Sequence, residues 1–169
     1  MAYKYGSDKC PQIKHPFTPV YFGLLKDKRK STKKVLEIGI GGGASLLMWR
    51  DFFPNAQIYG ADILPLALYN DERIKSFICD QTNKEDLQRL VDNIGPDVDL
   101  IVDDGSHKTE DQIFTCLTLM PIVNKKVIYI IEDVKAPETV ITALSMYNCW
   151  IPNLKRKFKD DNLVVVRNS

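Results

Sequence analysis

The chain has 169 residues, 44% of them hydrophobic and 27% charged, with a formal net charge of +1. That composition excludes collagen-like, disordered and disulfide-framework proteins, and the near-neutral balance argues against a globally basic nucleic-acid binder. The length predicts one domain over 1–169, with no room for a separate substrate domain beside a cofactor domain.

Residues 1–33 carry no sheet pattern and are expected to pack as a cover over a cleft. Within and just after them, Lys26, Lys28, Arg29, Lys30, Lys33 and Lys34 read as a solvated loop entering a buried strand. From 34 onward, strands predicted at 35–40, 57–62, 75–79, 98–103 and 127–131 alternate with helices predicted at 44–53, 84–94, 110–122 and 138–147. Several strands are apolar at consecutive positions, as strands covered on both faces should be. Leu46, Leu47, Trp49 and Phe53, then Leu87, Leu90, Val91 and Ile94, then Ile113, Phe114, Leu117 and Met120 give three helices an apolar face for the sheet. At the end, 154–158 and 163–167 flank Lys159, Asp160, Asp161 and Asn162, which reads as a hairpin turn. The expected fold is a doubly wound, Rossmann-like α/β sheet over 34–169, mostly parallel, with seven strands and an antiparallel C-terminal hairpin.

Cys10, Cys79, Cys116 and Cys149 form no Cys-x-x-Cys pair, which predicts reduced and mostly buried thiols. No run suits a signal peptide or approaches the length of a bilayer span, so a cytoplasmic location with no membrane partner is expected.

The first strand runs through Glu37 into Gly39, Gly41, Gly42 and Gly43, a side-chain-free turn at the strand's carboxyl edge, where ligands bind in such sheets. The helix opening near Ala44 and Ser45 offers N–H groups to a carboxylate or a phosphate. The string also fits the dinucleotide pattern Gly39-x-Gly41-x-x-Ala44, with Asp62 ending the second strand in reach of ribose hydroxyls. Glu37 and the missing substrate domain tilt the reading from NAD towards S-adenosylmethionine. Asp80 and Gln81 end the third strand, where they would meet an adenine amine; Asp80 would equally cap the next helix.

The fourth and fifth strands end in Asp103, Asp104, Gly105, Ser106, His107 and in Glu132, Asp133. Adjacent strand ends lie about 5 Å apart, so these carboxylates repel unless protonated, hydrogen-bonded or neutralised by a hard cation, of which Mg²⁺ is favoured. Asp103 and Asp104 point to opposite faces, and Asp104 is expected to serve the cleft. His107, three residues on, can act as general base towards a hydroxyl acceptor. His15 reads as either a loop residue or a substrate contact.

Together these motifs resemble the macrocin and mycinamicin type of sugar O-methyltransferases, which depend on S-adenosylmethionine and Mg²⁺. The resemblance runs through Gly6, Ser7, Asp8 and Lys9, His15 and Tyr21, Leu36 to Gly39, Gly42 to Leu46, Met48 and Trp49, Phe52 to Ala56, Ile58 to Gly60, Asp62 and Ile63, Asp80 and Gln81, Asp103 to His107, and Ile131 to Asp133. It implies a metal held by Asp104, Glu132 and Asp133, with His107 and Asp104 catalytic, and Gly6 to Lys9 closing the cofactor site. The cofactor set expected from the residues and the resemblance is Ser7, Lys9, Glu37, Gly39, Gly41, Gly43, Ser45, Asp62, Ile63, Asp80, Gln81 and Asp103. The chain departs from the family after Asp133, where Lys135, Ala136 and Pro137 lead straight into the last helix instead of a longer substrate-shaping segment. A second subunit of a homo-oligomer would complete such a pocket, a small hydroxylated acceptor would fit it as it stands, or the acceptor has been lost. The leading expectation is an Mg²⁺-assisted O-methyltransferase. The alternatives are a cofactor-binding protein without methyl transfer and, last, an NAD-dependent oxidoreductase.

Overall fold

The computed structural model describes residues 1–155, 158–159 and 161–169. Its helices are α1 Ala2–Tyr5, α2 Thr18–Leu25, α3 Ala44–Phe52, α4 Lys84–Ile94, α5 Thr109–Leu119 and α6 Pro137–Ala143. The strands are β1 Lys34–Ile38, β2 Gln57–Asp62, β3 Ile74–Ile78, β4 Leu100–Asp103, β5 Ile128–Ile131, β6 Asn148–Trp150 and β7 Val164–Arg167. They form one seven-stranded sheet in the order β3-β2-β1-β4-β5-β7-β6. β1 to β5 are parallel, β7 runs antiparallel beside β5, and β6 antiparallel beside β7. The strand order reverses between β1 and β4, and their carboxyl ends open the crevice where this topology binds ligands.

The period-two alternation of strands divides the core. Val35, Leu100, Val102, Ile128 and Ile130 pack on the side of α2 and α3, with Phe17, Tyr21, Leu46 and Trp49. Leu36, Ile38, Ile101, Tyr129 and Ile131 pack on the side of α4, α5 and α6. Continued to the strand ends, the same alternation sends Glu37, Asp104 and Glu132 to the first side and Asp103 to the second. α4 shows how locally the elements are specified: Asn83 caps it by accepting from the Asp86 N–H at 3.1 Å, Leu87, Leu90, Val91 and Ile94 are buried, and Gly95 follows its end. Asp80 is therefore not the cap of this helix.

Four expectations need correction. The α5 face turned inward is Gln112, Thr115, Cys116 and Leu119, while Phe114 and Leu117 are exposed. Gln112 and Thr115 are drawn in because their side chains hydrogen-bond to the Glu132 carbonyl and to the Gln81 carbonyl, at 2.9 and 3.2 Å. The last helix stops at Ala143 rather than 147, and β7 pairs with β6, through Cys149 opposite Val166, where the sequence predicts a partner strand at 154–158. That predicted strand includes Arg156 and Lys157, and the predicted turn includes Asp160, all three outside the described residues. Asp161 and Asn162, expected at a solvated turn tip, are buried, because Asp161 bonds to His15 and the Asn162 amide donates to the Val134 carbonyl.

Cys10, Cys79, Cys116 and Cys149 are free thiols, the first three buried. Among the described residues no helix is long and apolar enough to cross a membrane.

Candidate active site

Two cavities lie side by side along the carboxyl ends of the strands. The first, of about 510 Å³, is lined by Ser7, Asp8, Lys9, Lys14, the turn from Gly39 to Gly42, Ser45, Asp62, Asp104, His107 and Asp133. The second, of about 470 Å³, is lined by Gly39, Asp62, Ile63, Leu64, Asp80, Gln81, Thr82, Ser106 and Asp111. Gly39, Asp62 and Gly105 line both, so the two form one elongated cleft, each half within the size range of small-molecule sites.

The glycine turn is fixed from both sides. The Asp62 carboxylate accepts from the Ile40 and Gly41 N–H groups at 2.8 and 3.3 Å and from Leu64 at 2.9 Å. Gly39 has φ +85°, and a Cβ there would fall 2.1 Å from the Asp104 carbonyl oxygen. Gly39→Ala combines left-handed strain with overlap against backbone, and should cost about 3 kcal/mol or more in a urea unfolding titration. A loss under about 1 kcal/mol would show that the turn yields without cost.

Beneath the turn lies a buried charge cluster that the sequence reading did not anticipate. Lys9, reaching in from the segment after α1, is 1% exposed. Its ammonium donates to Asp104 and, at 2.8 Å, to Glu132 Oε2, and stands 3.3 Å from Glu37 Oε1. The other Glu37 oxygen accepts from the Ser45 hydroxyl at 2.7 Å, and the Tyr21 hydroxyl donates to Glu132. Burial opposes the charge on Lys9, but Glu132, Asp104 and Glu37 hold its pKa well above the ordinary lysine value. Burial pushes Glu132 well up and Glu37 up, against the pull of the same ammonium. Lys9 is thus a counter-ion to three carboxylates at the strand ends, and Tyr21, overlooked in the sequence except as part of the resemblance, donates to one of them, Glu132.

At the cleft end of this cluster, ligand atoms of Asp104, His107 and Asp133 lie within 4.8 Å of one another. His107 Nδ1 is 4.0 Å from Asp104 Oδ1. His107 and Asp133 both adopt positive φ, +55° and +50°, uncommon for residues with side chains. Among the described residues, His107 Nδ1, Asp133 Oδ1 and the Ser7 hydroxyl are buried with no hydrogen-bond partner. Burial raises the Asp133 pKa, His15 lowers it, and Asp104 raises it.

The expected site residues therefore divide. Ser7, Lys9, Gly39, Gly41, Ser45, Asp62, Ile63, Asp80, Gln81, Asp104, His107 and Asp133 line the cleft. Glu37 and Glu132 lie beneath it, against Lys9, Ser45 and Tyr21, and Asp104 stands between two groups of ligand atoms, one with Glu37 and Glu132 and one with His107 and Asp133. Gly43, expected to touch the cofactor, is not among the residues lining either cavity; it caps α3 with φ +77°. Gln81 lines the cleft, yet its amide is spent on Asp103, Thr115 and the Ser106 N–H, at 3.1, 3.0 and 2.7 Å, making it a strut between strand ends. Asp80 accepts from the Thr82 N–H and hydroxyl at 2.8 and 2.7 Å, which holds its pKa low.

Asp103, expected at the cofactor, lines neither cavity. The strand alternation buries it completely on the far side, with Gln81, the Tyr129 hydroxyl at 3.1 Å and the Gly105 N–H at 3.4 Å around it. Burial pushes its pKa up to about 7 against those three donors. A folded pKa above the unfolded one means stability is fully present below about pH 4 and falls as pH rises towards 7, by on the order of 4 kcal/mol. Asp103→Asn should flatten the slope of unfolding free energy over that window; an unchanged slope would show that the carboxylate stays ionised.

A doubly wound sheet with a glycine turn and acids at its switch point defines a nucleotide-type cofactor protein, and comparison with known proteins narrows the class. The chain belongs to the FtsJ-like methyltransferase family, which matches residues 20–159. It is similar to the mycinamicin VI 2''-O-methyltransferase of Micromonospora griseorubida, 40% identical over 126 residues, covering 70% of this chain and 31% of that protein. It is also similar to the 8-demethyl-8-alpha-L-rhamnosyl tetracenomycin-C 2'-O-methyltransferase of Streptomyces olivaceus, 33% identical over 142 residues, covering 80% of this chain and 37% of that one. In structure it is similar to the MycE methyltransferase of the mycinamycin biosynthetic pathway, solved in complex with Mg, SAH and mycinamycin VI. The TM-score is 0.79 at 28% identity, covering 98% of this chain and 52% of the other. The chain spans about a third of the length of these curated relatives. Family membership sets aside the oxidoreductase reading that the glycine turn alone would allow.

Proposed function

We propose that this chain binds S-adenosylmethionine along the double cleft and transfers its methyl group to a hydroxyl of a sugar or similar small molecule, with a divalent cation, Mg²⁺ by preference, at Asp104 and Asp133. One observation carries the reading. Beside the glycine turn, Asp104, His107 and Asp133 converge with two buried polar atoms left without a partner, as a site for a ligand requires. Hard carboxylate oxygens with an imidazole nearby suit such an ion.

Residues 34–169 act as the core and residues 1–33 as the cover, since Ser7, Asp8, Lys9 and Lys14 line the first cavity. Asp62, which lines both cavities, would take the ribose hydroxyls, and Ile63, Leu64 and Asp80, which line the second, would take the adenine end. In the reaction the acceptor oxygen attacks the sulfonium methyl, the carbon–sulfur bond breaks with its electron pair going to sulfur, and the His107 imidazole takes the hydroxyl proton. A bound divalent cation would supply Lewis acidity that makes that proton easier to remove. The free thiols fit a reducing cytoplasm.

A second reading, cofactor binding without methyl transfer, has one observation in its favour. Glu132 spends its oxygens on Lys9 and Tyr21, leaving fewer carboxylates for a cation than the family resemblance implies. Incubation with methyl-labelled S-adenosylmethionine and a panel of rhamnosides and other glycosides, with Mg²⁺ or with EDTA, separates the two. Labelled ether formed only with Mg²⁺ supports transfer, whereas cofactor binding with no labelled product from any acceptor supports the second reading.

A further inference from the structure

His15 sits in an environment that an ordinary loop histidine does not need. It is 2% exposed, its ring lies parallel to Phe17 at 5.0 Å between centroids, and Phe158 meets it edge-on at 6.0 Å. Its backbone N–H donates to the Asp8 carbonyl at 2.7 Å, and Nδ1 is hydrogen-bonded to Asp161, itself fully buried. The ring has little freedom left. The edge so fixed carries Nδ1 to 3.5 Å from Asp133 Oδ1, the oxygen that has no hydrogen-bond partner.

The backbone next to Asp133 is held by the same loop. The Val134 N–H donates to the Asn162 carbonyl at 3.2 Å, and the Asn162 amide donates back to the Val134 carbonyl at 2.8 Å. Asp133 itself is kept at φ +50°, a conformation that persists only where the surroundings impose it. Residues far apart in sequence, His15 on one side and Asp161 and Asn162 on the other, thus hold the Asp133 side chain and the backbone beside it.

We propose that His15 is a positioning residue for Asp133: clamped by Asp161 and Phe17, its ring edge stands against the Asp133 carboxylate and keeps it turned towards the divalent cation beside Asp104. The inference rests on the metal reading above and deepens it. Partners that orient a ligating carboxylate commonly contribute about 10- to 100-fold to metal affinity.

The test is titration of the intact chain with Mn²⁺, following loss of the free-ion paramagnetic resonance signal, alongside calorimetric titration with S-adenosylhomocysteine. His15→Asn puts an amide where Nδ1 stood, and His15→Gln puts one where Nε2 stood. The expected result is Mn²⁺ affinity at least about 10-fold weaker in His15→Gln, within about threefold of the unaltered chain in His15→Asn, and S-adenosylhomocysteine affinity within about twofold in both. Equal Mn²⁺ affinity in all three would overturn the inference. So would equal weakening in the two variants, or a parallel loss of S-adenosylhomocysteine binding, either of which marks a role in packing alone. If the unaltered chain takes up no Mn²⁺, or binds it as well after Asp104→Ala, the metal reading fails and the inference with it.

Discussion

Lys9→Met should be the most destabilising single change at this site, costing about 3–5 kcal/mol, because it leaves buried carboxylates without their cation. Glu37, Asp104 and Glu132 each lie within ion-pair distance of the Lys9 ammonium, and Glu37 and Glu132 are fully buried. Methionine matches the length of the lysine stem, so little packing is lost and the effect is electrostatic. The pH dependence follows in sign. Burial already raises the pKa values of Glu37 and Glu132 above those of the unfolded chain, and removing Lys9 takes away what lowers them. The deficit should therefore be largest at high pH and shrink as pH falls and the carboxylates take up protons. Urea unfolding of both proteins at several pH values measures it. A constant deficit, or one below about 1 kcal/mol, would mean that the carboxylates find water or each other instead.

The largest effect on activity should come from His107→Ala. A positioned general base contributes about 10²- to 10⁴-fold, so methyl transfer should fall by that factor while S-adenosylhomocysteine affinity stays close to that of the unaltered chain. The separation is expected because His107 lines the cavity holding Asp104 and Asp133 but not the half lined by Asp80 and Ile63. Its side chain is 37% exposed, so stability should move little. A kcat within about threefold of the unaltered chain would assign the proton to another acceptor.

The strands and the glycine turn were legible because their signals are local: apolar runs of strand length, each ending in an acid or in glycine at the carboxyl edge. Period-two alternation was enough to send Asp104 towards the cleft, whereas Asp103, counted with the cofactor residues, is buried on the opposite side of the strand. What the sequence hid was the partner of each acid. A lysine in a loop segment is ordinarily solvated, and nothing local to Lys9 announces that the segment after α1 will drop it among Glu37, Asp104 and Glu132. The α5 face misled for a related reason. Hydrophobic periodicity favours Phe114 and Leu117, whereas the structure turns Gln112 and Thr115 inward to satisfy strand-end groups 20 and 34 residues away. Asp161 and Asn162 have turn chemistry, and only the positions of His15 and Val134 in space make them buried anchors.

The central claim is that the cleft at the β1 and β4 ends takes S-adenosylmethionine beside a divalent cation. Calorimetric titration of the chain with S-adenosylhomocysteine and with NAD, each with Mg²⁺ and with EDTA, tests it most directly. The account predicts saturable binding of S-adenosylhomocysteine, none of NAD, and a separate heat of Mg²⁺ binding that disappears in Asp104→Ala. No binding of S-adenosylhomocysteine under either condition would contradict it.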